Sequence, residues 1–315
     1  MSSFRKLAVF STAATVLLVT IGGLVRSTGS GLGCSTSWPD CSGRIIPDFH
    51  NHKVVIEFTH RIVAGVVALL LAALVLKAWQ LRKEHPPLLM PTLAAFALVL
   101  FQAGLGAAVV VLELHAKTVM LHLGTAMALL ALLVYVVVLA TATERPLTES
   151  ADPATGKRAA MAAGAVFLLL LVGSYMSGIE GSGRAFGDWP LMGGRLIPDL
   201  AVEEKAIHFF HRALAAIVGA ILFITLLPMM RNKAASPAVA RLAHVAVGLF
   251  AVEVLVGALN VWTDLNAAAV TSHLLIGALI WSSLVGIAVL SSARLRAKAE
   301  APRREPVHGA LGQGA

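Results

Sequence analysis

The stretch "WPDCSGRIIPDF", residues 38–49, returns as "WPLMGGRLIPDL", residues 189–200, with the tryptophan, the prolines, a Gly-Arg pair and an Ile-Pro-Asp in step. The offset is 151 residues, and a true internal duplication carries other uncommon residues along at the same spacing. It does so here: Gly22 goes to Gly173, Glu57 to His208, His60 to His211, Arg61 to Arg212, Gln102 to Glu253, Gly106 to Gly257 and His122 to His273. The chain is two copies of one unit, and the positions where the copies differ are candidates for a division of labour.

Composition says where the unit lives. The 315 residues are 57% hydrophobic and 13% charged, with a mean hydropathy of +0.81, outside the range of soluble domains. A membrane-crossing helix needs about 20 apolar residues, and eight runs qualify: 7–26, 54–79, 88–112, 117–141, 159–179, 203–228, 236–262 and 267–292. Backbone groups in lipid must be satisfied within the chain, and the runs lack the alternation of barrel strands, so helices are expected. The expected fold is an all-α integral membrane protein with eight transmembrane helices, arranged as two pseudo-twofold related four-helix bundles with outer cap loops. Residues 1–145 form the N-terminal half, 146–158 a polar cytoplasmic linker, 159–293 the C-terminal half, and 294–315 a disordered cytoplasmic tail.

Lys and Arg set the orientation. Arg5, Lys6, Lys77, Arg82, Lys83, Arg145, Lys157, Arg158, Arg231, Lys233, Arg241 and the tail cations fall on one side; Arg26, Arg44, Lys53, Lys117, Arg184, Arg195 and Lys205 fall on the other. Both termini are therefore expected in the cytoplasm and the protein in the inner cell membrane. The formal charge of +8 follows from this bias and from attraction to an anionic leaflet; it calls for no nucleic acid. The repeated loops, 27–53 and 180–202, lie on the outer side and are longer than ordinary connectors, which suggests ordered caps over the bundle.

Depth sorts the histidines. His50, His52, His85, His115 and His308 fall in loops or tails and read as solvated. His60, His122, His208, His211 and His273 fall within about two turns of the outer end of a helix, where an ionisable side chain is costly and points to function. His60 and His122 each stand about five or six residues inside helices that run the same way, at similar depth for a rise of about 1.5 Å per residue; His211 and His273 repeat this. Two facing imidazoles can ligate a haem iron axially within a four-helix bundle. Zinc wants three or four protein ligands, and no Cys or Asp set converges here; a purely structural pair is the plain alternative. The propionates of a haem need cations, for which Arg61, Arg212, Arg44 and Arg195 are candidates, although Arg61 and Arg212 can equally pair with a helix carboxylate or a loop carbonyl.

The halves then diverge. "EFTHR", residues 57–61, becomes "HFFHR", residues 208–212. The i, i+3 spacing puts Glu57 one turn from His60, able to move protons or stabilise a cationic intermediate; a salt bridge to Arg61 or Arg26 is the other reading. Cys34 and Cys41, the only cysteines, lie in the first outer loop, where a disulfide is expected, either as a staple or as a redox-active pair.

"GGLVRSTGSGLGCSTSWPDCSGRIIP", residues 22–47, followed by "EFTHR", His122, "HFFHR" and His273 across eight helices, resembles the haem A synthase family of the cytochrome oxidase assembly pathway. The likeness spans about 7–292. It implies oxidation of a methyl group of haem O to the formyl group of haem A, through an alcohol and a hydrated aldehyde. It further implies substrate haem O at His60 and His122 with Arg61 beside it, Glu57 as an essential carboxylate, a cofactor haem b on His211 and His273, and a Cys34–Cys41 pair. Some members carry a second cysteine pair; Ala185 and Met192 stand at those offsets here, so no role needing it applies. Implied partners are haem O, haem A and the bilayer, with a haem O synthase (farnesyltransferase), an electron carrier or quinone, and a second copy of the chain as candidates. The rival reading is a haem-binding carrier or two-haem electron-transfer protein.

Overall fold

The computed structural model describes residues 1–144, 152–231 and 237–292. It contains eight helices long and apolar enough to cross a membrane: α1 Ser2–Ser27, α2 His52–Gln80, α3 Leu89–Val111, α4 Ala116–Glu144, α5 Pro153–Gly178, α6 Glu203–Arg231, α7 Pro237–Trp262 and α8 Ala267–Leu290. Among the described residues the only β pairing is two isolated bridges, Cys41 with Arg44 and Met192 with Arg195, at repeat-equivalent positions. The all-helical membrane fold read from the sequence therefore stands.

Helix starts follow local capping chemistry. The side chains of Asn51, Asp152 and Asn266 accept the N–H groups of Lys53, Ala154 and Ala268 at 2.9, 3.0 and 2.9 Å, relieving donors that a helix N-terminus leaves unpaired. The Asp152-Pro153 pair starts α5 six residues before the apolar run at 159, because a cap and a first-turn proline define a start regardless of hydropathy. The end of the expected linker is thus helical, while 145–151 and the tail from 293 lie outside the described residues. At the other end of the chain α1 begins at Ser2, since Phe4 and Ala8 are already buried.

The first four helices pack in a closed ring, α1 on α2 and α4, α3 on α2 and α4; α5 to α8 do the same. The halves meet through α1 against α8 and α4 against α5 and α8. Apolar burial gives little drive between helices in lipid, so close packing at small residues takes its place. An ideal Cβ on Gly178 would lie 2.5 Å from the Ala116 Cβ, and one on Gly124 2.9 Å from Leu171 Cδ2. Trp281 Nε1–H donates to the Met127 carbonyl at 3.0 Å across this contact. Arg26 donates to the carbonyl of Ser177, the residue at its own 151-residue offset.

His85 departs from its solvated reading. It is buried in the turn before the 3-10 segment Pro86–Leu88, which folds back on α3 and α4 and buries Leu88. His50, His52 and His115 are exposed as expected, and His308 lies outside the described residues. His244, which depth sorting leaves unplaced, turns its Nδ1 to the Ala240 carbonyl at 2.7 Å.

Candidate functional site

The four repeat-related histidines occupy one layer. His60 and His211 stand eight residues past the first residue of α2 and α6, and His122 and His273 six past the first of α4 and α8. The buried apolar cores begin beyond them, from Val67 in α2, Met127 in α4 and Val218 in α6. The histidine layer therefore lies between the packed core and the long loops.

Each ring rests on a glycine of the preceding helix. An ideal Cβ on Gly22, Gly106, Gly173 or Gly257 would meet Cε1 of His60, His122, His211 or His273 at 3.3, 3.1, 3.0 or 3.4 Å. These glycines, in α1, α3, α5 and α7, are two repeat-equivalent pairs. In all four histidines Nδ1 is buried and lacks a hydrogen-bond partner, while the residue as a whole is only half-buried. With Nδ1 sealed against the glycine side, the edge each ring presents is the Nε2 edge. The seat tightens from Gly257 through Gly22 and Gly106 to Gly173, so alanine at these positions is expected to displace its histidine increasingly in that order. Haem retained on purification of the four variants measures it, and retention independent of the order would refute the seating.

The C-terminal pair faces across its bundle with ring centroids 6.5 Å apart and planes at 73°. A metal–imidazole bond of about 2.0–2.1 Å, with the ring centre about 1.1 Å behind the nitrogen, puts two imidazoles on opposite sides of one metal about 6.3 Å apart. The spacing fits two axial ligands on one iron. Among the described residues no group of three or more His, Cys, Asp or Glu side chains is arranged to hold a metal ion; a zinc site would need such a group, whereas a macrocycle brings its own four nitrogens and takes only axial ligands from the chain.

Beside these pairs the copies solve one problem with different chemistry. Glu57 is buried; Oε2 accepts the Cys34 N–H at 2.9 Å, and Oε1 pairs with Arg61. Arg61 also donates to the carbonyls of Ser37 and Asp40, at 3.0 and 2.6 Å. Arg26, the other partner considered for Glu57, is turned to Ser177. In the second copy His208 Nδ1–H donates to the Ser182 carbonyl at 2.8 Å, and its Nε2 accepts from Arg212 Nε at 2.9 Å. Those two bonds fix a neutral imidazole with both nitrogens occupied. Arg212 donates from Nη1 to the carbonyls of Asp188 and Leu191, both at 3.0 Å, and keeps a buried Nη2 without a partner. Thus Arg61 and Arg212 tie the loops to the histidine helices, and Arg212 retains one donor for a further acceptor.

Both loops contain a cis Trp–Pro bond, Trp38–Pro39 and Trp189–Pro190. The first is closed by the Cys34–Cys41 disulfide, its cysteines buried and their Cα atoms 4.5 Å apart. The second has no cysteines and is braced by Asp188, which accepts the N–H groups of Gly193 and Gly194 at 2.7 and 2.8 Å. These bonds, Gly194 foremost, hold the Asp188 carboxyl below its usual range. The cap expectation holds for the docked parts of the loops. Their tips differ: Arg44, Ile45 and Ile46, like Arg195, Leu196 and Ile197, are exposed.

Glu253 and the four glycine seats carry more of the site than their sequence positions suggest. Glu253 Oε2 lies 3.3 Å from His273 Nδ1, outside hydrogen-bond geometry. The only sequence signal for these residues is that they keep the repeat offset.

Comparison with known proteins places the chain among relatives. Residues 5–285 match the family described as cytochrome oxidase assembly protein. The chain is 32% identical over 231 residues to the haem A synthase of Alkalihalophilus pseudofirmus, covering 72% of this chain and 76% of that one. It is 32% identical over 266 residues to the haem A synthase of Symbiobacterium thermophilum (82% and 86% covered), and 28% identical over 279 residues to that of Staphylococcus aureus (87% and 90%).

Proposed function

Since the chain belongs to the cytochrome oxidase assembly protein family, we infer that it is a haem A synthase, a membrane enzyme that oxidises a methyl group of haem O to the formyl group of haem A. The site assignment is carried by two repeat-related histidine pairs at one depth, the C-terminal one facing across its bundle, together with the buried carboxylate of Glu57, one turn before His60, where the second copy has His208. Haem O is the substrate of the N-terminal half, held by His60 and His122. The C-terminal half holds a resident haem b through His211 and His273, and when bound this group supplies one-electron transfer.

The chain's own residues divide the work. Gly22 and Gly106 seat the substrate-side rings so that Nε2 faces the substrate iron. Converting a methyl to a formyl group adds one oxygen atom to a carbon and removes electrons and protons from it, the electrons passing to an external acceptor, and Glu57, through the oxygen it shares with Arg61, is the group placed to accept a proton or to stabilise positive charge there. Arg61 pairs with that carboxylate and locks the disulfide loop above it. His208, with both nitrogens engaged, cannot do this in the other half. Arg212 Nη2, with Arg44 and Arg195 at the loop tips, meets propionates. The likeness of the halves, and the contact of Arg26 with its own repeat mate, support a pseudo-twofold bundle pair, and the bias of Lys and Arg to one side supports cytoplasmic termini. In the inner membrane such an enzyme draws on a farnesyltransferase for haem O and on an electron carrier or quinone.

Haem extracted from the purified protein and identified by mass tests this reading. Haem B together with haem O or haem A is expected; haem B alone would favour a carrier or electron-transfer protein, in which Glu57 has no special purpose.

A further inference from the structure

We propose that Glu253 is a positioning residue for His273 whose charge makes the C-terminal haem site electronically different from the N-terminal one. This rests on His211 and His273 being axial ligands. Glu253, on α7, brings Oε2 to 3.3 Å from His273 Nδ1, and that oxygen is buried with no hydrogen-bond partner of its own. Its Oε1 would lie 3.3 Å from an ideal Cβ on Gly277, one turn beyond His273, so the missing side chain of Gly277 makes room for the carboxylate.

Three coordinated differences build this arrangement in one copy and dismantle it in the other. At the offset of Glu253 stands Gln102, which turns away from the ring: its Nε2–H donates to the His122 carbonyl at 2.7 Å, and its Oε1 accepts from Thr125. Thr125 is replaced by Ile276 in the second copy, which cannot hold a side chain back in this way, and Ala126 is replaced by Gly277. The Nδ1 atoms of all four histidines lack a hydrogen-bond partner, but only that of His273 has a carboxylate oxygen within 4 Å, and no ion pair joins His60, His122 or His211 to a carboxylate among the described residues. A carboxylate at Nδ1 of a ligating histidine fixes the tautomer, turns Nε2 to the metal and raises the basicity of the ligand. A more basic ligand stabilises the more oxidised iron, so Glu253 lowers the reduction potential of the site that contains His273 alone.

Glu253→Gln in the purified holoprotein separates charge from packing, because the amide keeps the size and shape of the side chain and removes its charge. We expect the C-terminal haem to be retained and its midpoint to move positive by about 59 mV for each tenfold loss of ferric preference in this one-electron couple, with the low-spin electron paramagnetic resonance signal shifted too. An unchanged potential with haem retained would overturn the proposal. Should the glutamine variant lose haem, Glu253→Asp, which restores the charge, must bring back both haem and a potential near the original; failure of that rescue also overturns it. His273→Ala separates the underlying assignment: if that variant keeps its full haem content, the histidine is not a ligand and the ligand assignment itself fails.

Discussion

His60→Ala and His122→Ala are each expected to lower haem A formation by roughly a hundredfold or more, while the haem proposed for His211 and His273 is expected to stay bound. The magnitude follows from what the ring does: removal even of residues that only support a ligand typically costs about 10–100-fold, and these rings present the ligating edge themselves. No other side chain stands ready to replace them, because among the described residues no group of three or more His, Cys, Asp or Glu is arranged to hold a metal ion. Independence of the halves follows from the architecture, since each pair is seated on glycines of its own four helices. Haem identified by mass and quantified after extraction reads both effects. Normal haem A from either variant would remove the N-terminal pair from the reaction.

Glu57→Gln is expected to lower haem A formation by about a hundredfold or more, in the range for removal of a proton-transfer group, with haem content unchanged. Glutamine can still accept the Cys34 N–H, which the carboxylate does at 2.9 Å, so the loop anchor persists while the charge and the capacity to carry a proton are lost. Arg61→Lys is the companion variant. It keeps a cation for Glu57 but cannot reach both the Ser37 and Asp40 carbonyls as the forked guanidinium does, and is expected to loosen the loop with a smaller loss of product. If the lysine variant is as inactive as the glutamine variant, Glu57 acts by holding the loop; if the glutamine variant makes haem A normally, Glu57 has no part in the chemistry.

The sequence by itself determined that this chain is eight membrane helices written as one unit twice. Both signals are properties of the chain order: hydropathy summed over about 20 residues needs no neighbour, and a repeat needs only an offset. It also marked His60, His122, His211 and His273, because ionisable groups at matching depth in two copies are costly to keep. What it left open were choices between partners. Glu57 could meet Arg61, Arg26 or a ligand, and Arg61 a carboxylate, a carbonyl or a propionate; the fold decided for an ion pair and loop carbonyls, because the Cys34 to Asp40 segment comes down on the first turns of α2. His85 read as loop and is buried, since burial depends on how a short connector folds back rather than on its own hydropathy. The glycine seats and the approach of Glu253 to His273 depend on which helices are neighbours and at what rotation. Such contacts span elements far apart in sequence, and only the tertiary structure sets them.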